Sequence, residues 1–360
     1  MAKAKPATKL VVERGHLVAA LSTVIKAVET RNTYPILANV HLVASDGFLT
    51  LRATDLDIEI TTRIPAKGEL AATTLPAKKL HEIARKFDAG AENTLEQDGD
   101  AVTVKSGRSR FKLATLGADA FPDLKSGAFT ASFSADLSAM FAPVGFAISN
   151  EETRYYLNGV FLHSTGDETR AVATDGHRMA RVTVPTLGEI PAVIIPRKTV
   201  GLLPSGEVHV ELSDTKIRLR QGETTILSKL IEGTFPDYER VTPKNNDKAL
   251  VVDRAAMLAA VERVGTIANE RGGKAVRLDL ASGAVVLTVT AEGESATEEL
   301  AAEYSSEPVS IGFNTGYLAE ILRTATGESV TILIGDSNGP ALIRGADAGW
   351  QAVLMPMRVV

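Results

Sequence analysis

A chain of 360 residues that is 44% hydrophobic and 23% charged can bury a large core and lies outside the composition range of disordered segments. It contains no cysteine, which excludes disulfides, thiolate metal sites and a cysteine nucleophile, and suits a reducing compartment. The formal net charge of -5 argues against a simple nucleic-acid binder, whose footprint is a basic excess.

The opening Met1-Ala2-Lys3-Ala4-Lys5-Pro6 is polar and lacks the apolar run of a secretory signal. No apolar run is long enough to span a bilayer, so the expectation is a cytoplasmic protein with no membrane partner. The first strand is expected at 9–13. Leu17, Val18, Leu21, Val24, Ile25 and Val28 then recur at helical spacing and form one apolar stripe. Strands follow at 37–44 and 48–53, joined through Asp46-Gly47, where glycine tolerates the positive φ of a tight hairpin. After a strand near 56–64, a second helix from Ala77 to Phe87 puts Leu80, Ile83, Ala84 and Phe87 on one face, and a hairpin around Asp98-Gly99 and Gly107 follows.

This pattern repeats. Thr54-Asp55 recurs as Thr174-Asp175, and Val40 and Leu42 recur as Val160 and Leu162, all 120 residues on. A fainter copy reads Val276, Leu278 and Thr290. A strand followed by a helical stretch opens each copy, with Leu17, Leu137 and Met257 at equivalent places. Leu75-Pro76 and Ile195-Pro196 lead the second helix, where proline fits the first turn; the third copy uses Phe313-Asn314. The copies close on Phe121-Pro122-Asp123-Leu124, Phe235-Pro236-Asp237-Tyr238 and Met355-Pro356-Met357-Arg358. So long a period implies three domains with cores of their own, at 1–127, 128–248 and 249–360. Each is an α+β unit with two helices packed on antiparallel sheets.

Several strings could carry chemistry. In Thr174-Asp175-Gly176-His177-Arg178-Met179, Asp175 could orient His177 as a general base, but no nucleophile accompanies them, and Asp55 has no such histidine. Arg271-Gly272-Gly273-Lys274 lacks the first glycine and the hydroxyl residue of a phosphate loop and reads as a solvated loop. The six histidines show no metal-site spacing, and no cofactor is implied. Basic residues gather at Lys78-Lys79 with Arg85-Lys86, at Arg108 and Arg110, and at Arg197-Lys198, as solvated faces or as phosphate contacts. In Arg154-Tyr155-Tyr156-Leu157, strand alternation sends one tyrosine inward; an outward one beside arginine could stack on a base or bond a phosphate.

Together with Arg154-Tyr155-Tyr156-Leu157-Asn158-Gly159 and Ser106-Gly107-Arg108-Ser109-Arg110-Phe111, these strings resemble the bacterial DNA polymerase III beta subunit, the sliding clamp, in order and spacing over nearly the whole chain. The resemblance implies a homodimeric ring of three similar domains per chain that encircles duplex DNA without reading sequence and serves as a processivity factor with no catalytic activity of its own. Six helices side by side at roughly 9 Å make a circle only about 17 Å across; twelve make roughly 34 Å between axes, which leaves about 24 Å for a duplex. One chain is then half a ring, closed head to tail.

The resemblance also assigns residues. Arg31, Lys78, Glu151, Tyr155 and Tyr156 match family positions that touch DNA, although Glu151 stands where the best-known members carry glutamine and an acid opposes a phosphate. Lys79, Phe111 and Leu113 match one side of the dimer interface, and Thr266 and Ile267 the other. A pocket for short linear motifs would comprise Leu157, Thr174, Gly176, His177, Arg178, Met179, Pro236, Arg240, Val241, Asn338, Pro340, Val353, Met355, Pro356, Met357 and Arg358. Thioethers and aliphatics give it an adaptable floor, and arginine can engage peptide carbonyls or an acid. Met179 replaces a common leucine at nearly constant volume. The implied partners are the polymerase catalytic subunit, the clamp loader, and other polymerases and repair proteins.

Overall fold

The computed structural model describes residues 9–29, 33–268 and 274–359. The first repeat gives β1 (Lys9–Glu13), α1 (Arg14–Val24), β2 (Asn39–Ser45), β3 (Phe48–Thr54), β4 (Ile58–Pro65), β5 (Lys67–Gly68), β6 (Leu70–Pro76), α2 (Ala77–Lys86), β7 (Glu92–Asp98), β8 (Ala101–Ser106) and β9 (Ser109–Ala114). The second gives β10 (Ala131–Ala135), α3 (Leu137–Phe141), β11 (Gly159–Thr165), β12 (Glu168–Thr174), β13 (Arg178–Pro185), β14 (Val193–Pro196), α4 (Arg197–Val200), β15 (Val208–Leu212), β16 (Lys216–Gln221) and β17 (Thr224–Lys229). The third gives β18 (Lys248–Asp253), α5 (Arg254–Val264), β19 (Ala275–Ala281), β20 (Ala284–Ala291), β21 (Glu294–Ala301), β22 (Val309–Asn314), α6 (Thr315–Thr324), β23 (Ser329–Ile334), β24 (Ala341–Arg344) and β25 (Trp350–Leu354).

Contacts divide the chain into two compact units, Met1–Ala135 with Glu207–Leu230, and Asp136–Gly206 with Ile231–Val360. The reason is that the second repeat shares its strands out. Its β10, β15, β16 and β17 continue the first repeat's strands into an eight-stranded sheet ordered β10-β15-β16-β17-β4-β3-β2-β6. Its β11–β14 join the third repeat in the order β14-β11-β12-β13-β25-β24-β23-β18. A five-stranded sheet, β5-β1-β7-β8-β9, completes the first unit, and a four-stranded one, β21-β20-β19-β22, the second. Every strand pair among the described residues is antiparallel.

The helices carry the repeat into the core. Leu17, Ala20, Leu21 and Val24 of α1 are buried, and so are Met257, Ala260, Val261 and Val264 at the matching positions of α5. Each fully buried leucine, valine or methionine among these contributes about 1.5–3 kcal/mol. Side chains cap the helix starts: Glu13 accepts from the His16 amide at 2.8 Å, Asp253 from Ala256 at 2.7 Å and Asn314 from Tyr317 at 3.1 Å. Pro76 and Pro196 stand one residue before α2 and α4, at the cap rather than inside the first turn, because each also ends a strand.

Two details depart from the sequence reading. The helical stretch expected after the opening strand of the second repeat, around Leu137, shrinks to the five-residue α3, which Pro143 stops by removing an amide donor; α4 has four residues, ended by Gly201 and Pro204. Leu70–Pro76, which the sequence left unassigned, forms β6 against β2, since Ala71-Ala72-Thr73-Thr74 carries no apolar alternation to announce a strand.

Candidate functional site

The Thr174–Arg178 string is a turn between β12 and β13, held by its own side chains. The Thr174 hydroxyl donates to the Arg178 carbonyl at 2.7 Å and accepts from the Gly176 amide at 3.1 Å. Asp175 Oδ1 accepts from the amides of His177 and Arg178 at 2.9 and 3.0 Å, and its Oδ2 from Arg178 Nε at 3.0 Å. The carboxylate is thus occupied by the backbone and Arg178, and it does not orient the His177 imidazole, which stacks on Tyr317 at 6.3 Å. A general-base pairing of Asp175 with His177 is therefore not formed.

Gly176 is required twice over. Its φ is +89°, and a Cβ there would lie 2.4 Å from Arg154 Nη1. Arg154 lies across the turn because Glu151 grips it through Nε and Nη2 at 2.7 and 2.8 Å, while Nη2 also donates to the Asp175 carbonyl at 3.0 Å. That hydrogen bonding holds the Glu151 carboxyl below its usual range, so it stays charged.

Beside this turn a cleft of about 250 Å³ opens, lined by Arg154, Tyr156, Leu157, Thr174, Gly176, Arg178, Met179, Pro236, Asp237, Tyr238, Val241, Val353 and Met355. Leu157, Met179, Tyr238 and Val353 belong to a buried apolar cluster with Val172, Ile194, Phe235 and Leu342, and Phe161 stacks on Phe235 at 4.7 Å. Below the floor, the Tyr238 hydroxyl meets His163 Nε2 at 2.9 Å and Arg170 Nη1 at 3.4 Å, and Glu239 joins Arg170 and Arg181 at 2.6 and 3.1 Å. Burial pushes the His163 pKa down.

Nine of the sixteen residues assigned by resemblance line this cleft: Leu157, Thr174, Gly176, Arg178, Met179, Pro236, Val241, Val353 and Met355. The other seven do not. His177 instead anchors the rim, its carbonyl accepting from the Met355 amide at 2.9 Å. Arg240 is exposed and pairs with Asp237 at 3.0 Å. The Asn338 amide bonds Asp336 at 2.7 Å, the Pro340 carbonyl accepts from Asn246 at 2.9 Å, and the Met357 amide donates to Gly312 at 2.8 Å. Pro356 and Arg358 lie between and beyond these contacts. Met355 and Met357 are 41% and 39% exposed, so neither is a core residue.

Arg178 lines the cleft, yet its guanidinium turns into the fold. It is 9% exposed, bonds Glu320 and the Phe146 carbonyl as well as Asp175, and stacks over Tyr317 at 4.2 Å. The arginine that reaches over the opening is Arg154. Arg154, Asp237 and Tyr238 line the cleft without having been expected there; each lies inside one of the family motif strings, and nothing in their spacing separates lining from scaffold.

The tyrosines split as alternation suggested, though in a 3-10 turn at Tyr155–Leu157 rather than a strand. Tyr155 is 54% exposed, while Tyr156, assigned to DNA by resemblance, lines the cleft. Lys78 and Lys79 are exposed on α2 with Arg85 and Lys86. Arg31 and Arg271–Gly273 lie outside the described residues.

Phe111 is 39% exposed on β9, an edge strand, with Arg110 and Lys112 exposed on either side and Leu113 buried. Thr266 is exposed and Ile267 half-buried in a 3-10 turn after α5. In the second unit, β21 is also an edge strand and carries Glu294, Glu298 and Glu299. Edges like these present unpaired backbone groups to a further strand. Among the described residues no acidic or histidine cluster could hold a metal ion, and no helix is long and apolar enough to cross a membrane.

Family models for the N-terminal, central and C-terminal domains of the DNA polymerase III beta subunit match residues 8–125, 134–237 and 239–358. The beta sliding clamp of Caulobacter vibrioides is 40% identical over 376 residues, covering 98% of this chain and 100% of its own. That of Escherichia coli K12 is 37% identical over 366 residues, with the same coverage of 98% and 100%. The DnaN sliding clamp of Bartonella birtlesii, solved bound to griselimycin, matches with a TM-score of 0.94 at 42% identity over 98% of this chain and 100% of that one. The sliding clamp of Caulobacter crescentus matches with a TM-score of 0.93 at 40% identity, again over 98% and 100%. The chain therefore belongs to the DNA polymerase III beta subunit family, the beta sliding clamps.

Proposed function

We propose that this chain is a DNA polymerase processivity clamp: two copies close head to tail into a ring around duplex DNA, slide without sequence preference and tether partner proteins at the second unit's cleft. We propose 1–127, 128–248 and 249–360 as the bounds of its three clamp domains. The observation that carries the tethering role is the cleft itself, where the buried side chains of Leu157, Met179 and Val353 form an apolar floor beneath an exposed Met355 at the rim. Such a floor suits a short apolar segment anchored by one or two large side chains. The replicative polymerase, the clamp loader and repair proteins bearing such segments would share it in turn. Griselimycin, held by the Bartonella birtlesii relative, is assigned to the same cleft here.

For the ring, the basic face of α2 around Lys78 and the exposed Tyr155 supply phosphate contacts, which hold DNA without reading bases. The two edge strands support closure: β9 with exposed Phe111, Arg110 and Lys112 is complementary in charge to β21 with Glu294, Glu298 and Glu299. Native mass spectrometry tests closure. The dimer, at twice the 38.2 kDa chain, is the expected species, and a stable monomer at micromolar concentration overturns the ring.

A further inference from the structure

The two eight-stranded sheets are copies of one framework. Read from β6 and from β14, their strand orders correspond one to one, β6-β2-β3-β4-β17-β16-β15-β10 against β14-β11-β12-β13-β25-β24-β23-β18. Register preserves the match. One row across the second unit's sheet runs Thr174, Met179, Val353, Leu342, Leu333; the same row in the first unit runs Thr54, Glu59, Leu227, Arg218, Glu211.

The turn is copied as well. Thr54 Oγ1 accepts from the Leu56 amide at 3.0 Å, Asp55 Oδ1 from Asp57 and Ile58 at 2.9 and 2.7 Å, and Leu56 takes a φ of +79° where Gly176 has +89°. The Lys229 amide donates to the Asp57 carbonyl at 2.8 Å, as Met355 does to His177. His41 packs on Phe121 at 5.3 Å where Phe161 stacks on Phe235. A cavity of about 440 Å³ accompanies this first-unit row, lined in part by Glu59, Asp123, Leu124, Arg218 and Leu227.

The chemistry of the copy is reversed. Arg52 occupies the place of Val172, stands over Phe121 and reaches Asp123 at 3.2 Å and Glu59 at 3.7 Å. Glu59 is 9% exposed, and burial pushes its carboxyl pKa up. Arg218 forks onto Glu211, and Lys229 Nζ pairs with Asp57 at 3.0 Å. An apolar side chain seated on this floor would strip water from charged groups and give nothing in return, which is how a site rejects a ligand that its framework would otherwise admit.

We propose that the first unit holds a silent copy of the cleft, and that four positions keep apolar segments out of it: Arg52 for Val172, Glu59 for Met179, Arg218 for Leu342 and Lys229 for Met355. The assignment rests on the reading of the second unit's cleft as the segment-binding site. It explains how a chain with two equivalent frameworks offers one docking site, so that partners must exchange rather than bind side by side.

Isothermal titration of the full-length protein with griselimycin tests this. The wild-type chain is expected to take one equivalent, and the Arg52→Val/Glu59→Met/Arg218→Leu/Lys229→Met variant two; Glu211, which also pairs with Arg220 at 3.4 Å, would keep that partner in the variant. Two equivalents on the wild type would overturn the silent copy, and a folded variant that stays at one would overturn the choice of positions. If the variant does not fold, Met179→Glu with Met355→Lys in the second unit is the substitute. It is expected to weaken binding at least about tenfold with one equivalent retained at saturation, and unchanged affinity would overturn the proposal. No binding to the wild type at all would remove the second-unit reading first and the assignment with it.

Discussion

Glu151 holds Arg154 in a two-pronged grip, Nε to Oε2 at 2.7 Å and Nη2 to Oε1 at 2.8 Å, and Arg154 in turn reaches the Asp175 carbonyl at the edge of the cleft. The acid thus sits four residues before the exposed Tyr155 and fixes a cation that would otherwise be available to phosphate. Replacing Glu151 with glutamine removes one negative charge and loosens Arg154. Non-specific DNA binding should tighten, and the slope of log K against log salt should steepen by about one unit. Fluorescence anisotropy across a salt series measures this; an unchanged slope would place the Glu151 turn away from DNA.

The shared turn gives opposite expectations in its two copies. Gly176→Ala forces a Cβ into positive φ and into Arg154, so it should destabilise by roughly 1–2 kcal/mol and weaken cleft binding. Leu56→Gly relieves a left-handed leucine that is 40% exposed. After the added chain entropy of glycine it should gain about 0.5 kcal/mol. Urea unfolding reads both, and a loss in Leu56→Gly would mean that the leucine side chain packs more than its exposure suggests.

Arg178 is expected to behave as a structural pin. Arg178→Ala takes the side-chain donor from Asp175 Oδ2, whose Oδ1 keeps two backbone amides, and from the Phe146 carbonyl, and it should cost about 2–3 kcal/mol, Glu320 adding little because it is 45% exposed. Arg178→Lys should recover less than half, since one ammonium cannot replace a planar fork that serves three acceptors. Full recovery by lysine, seen in thermal and urea unfolding, would show that charge alone matters.

His163 sets a pH dependence. Burial lowers its pKa from the ordinary 6.5, so the folded state binds fewer protons than the unfolded one just below that value. Stability from this group is therefore fully present above pH 6.5 and falls as pH drops toward the folded pKa. His41 and His81, lowered by burial too, act in the same direction. Because His163 Nε2 supports the Tyr238 hydroxyl at the cleft floor, segment affinity should fall over the same interval, and His163→Gln should flatten that part of the profile. An identical affinity profile in the variant, measured by titration across this pH range, would show that His163 does not couple to the cleft.

Much of this was legible in the chain. The 120-residue repeat announced copied domains; Leu17, Leu21 and Val24 are buried where periodicity puts them, and so is Met257, the third copy's counterpart of Leu17. What the chain hid was how the second repeat shares its strands between two sheets, because a pairing partner 160 residues away leaves no local pattern: Arg63 meets Glu223 across such a join. The cleft was half legible. Apolar lining such as Leu157 and Met355 came with the family strings, but the inward turn of Arg178 and the reach of Arg154 depend on Glu320 and Glu151, and no spacing rule connects those residues.

The central claim is topological, and retention on DNA tests it most directly. After clamp loading onto nicked circular DNA, the protein should remain bound through gel filtration at moderate salt and should be lost once the circle is cut to a linear form, because a closed ring can leave only by an end. Equal retention on the circular and linear forms would contradict encirclement.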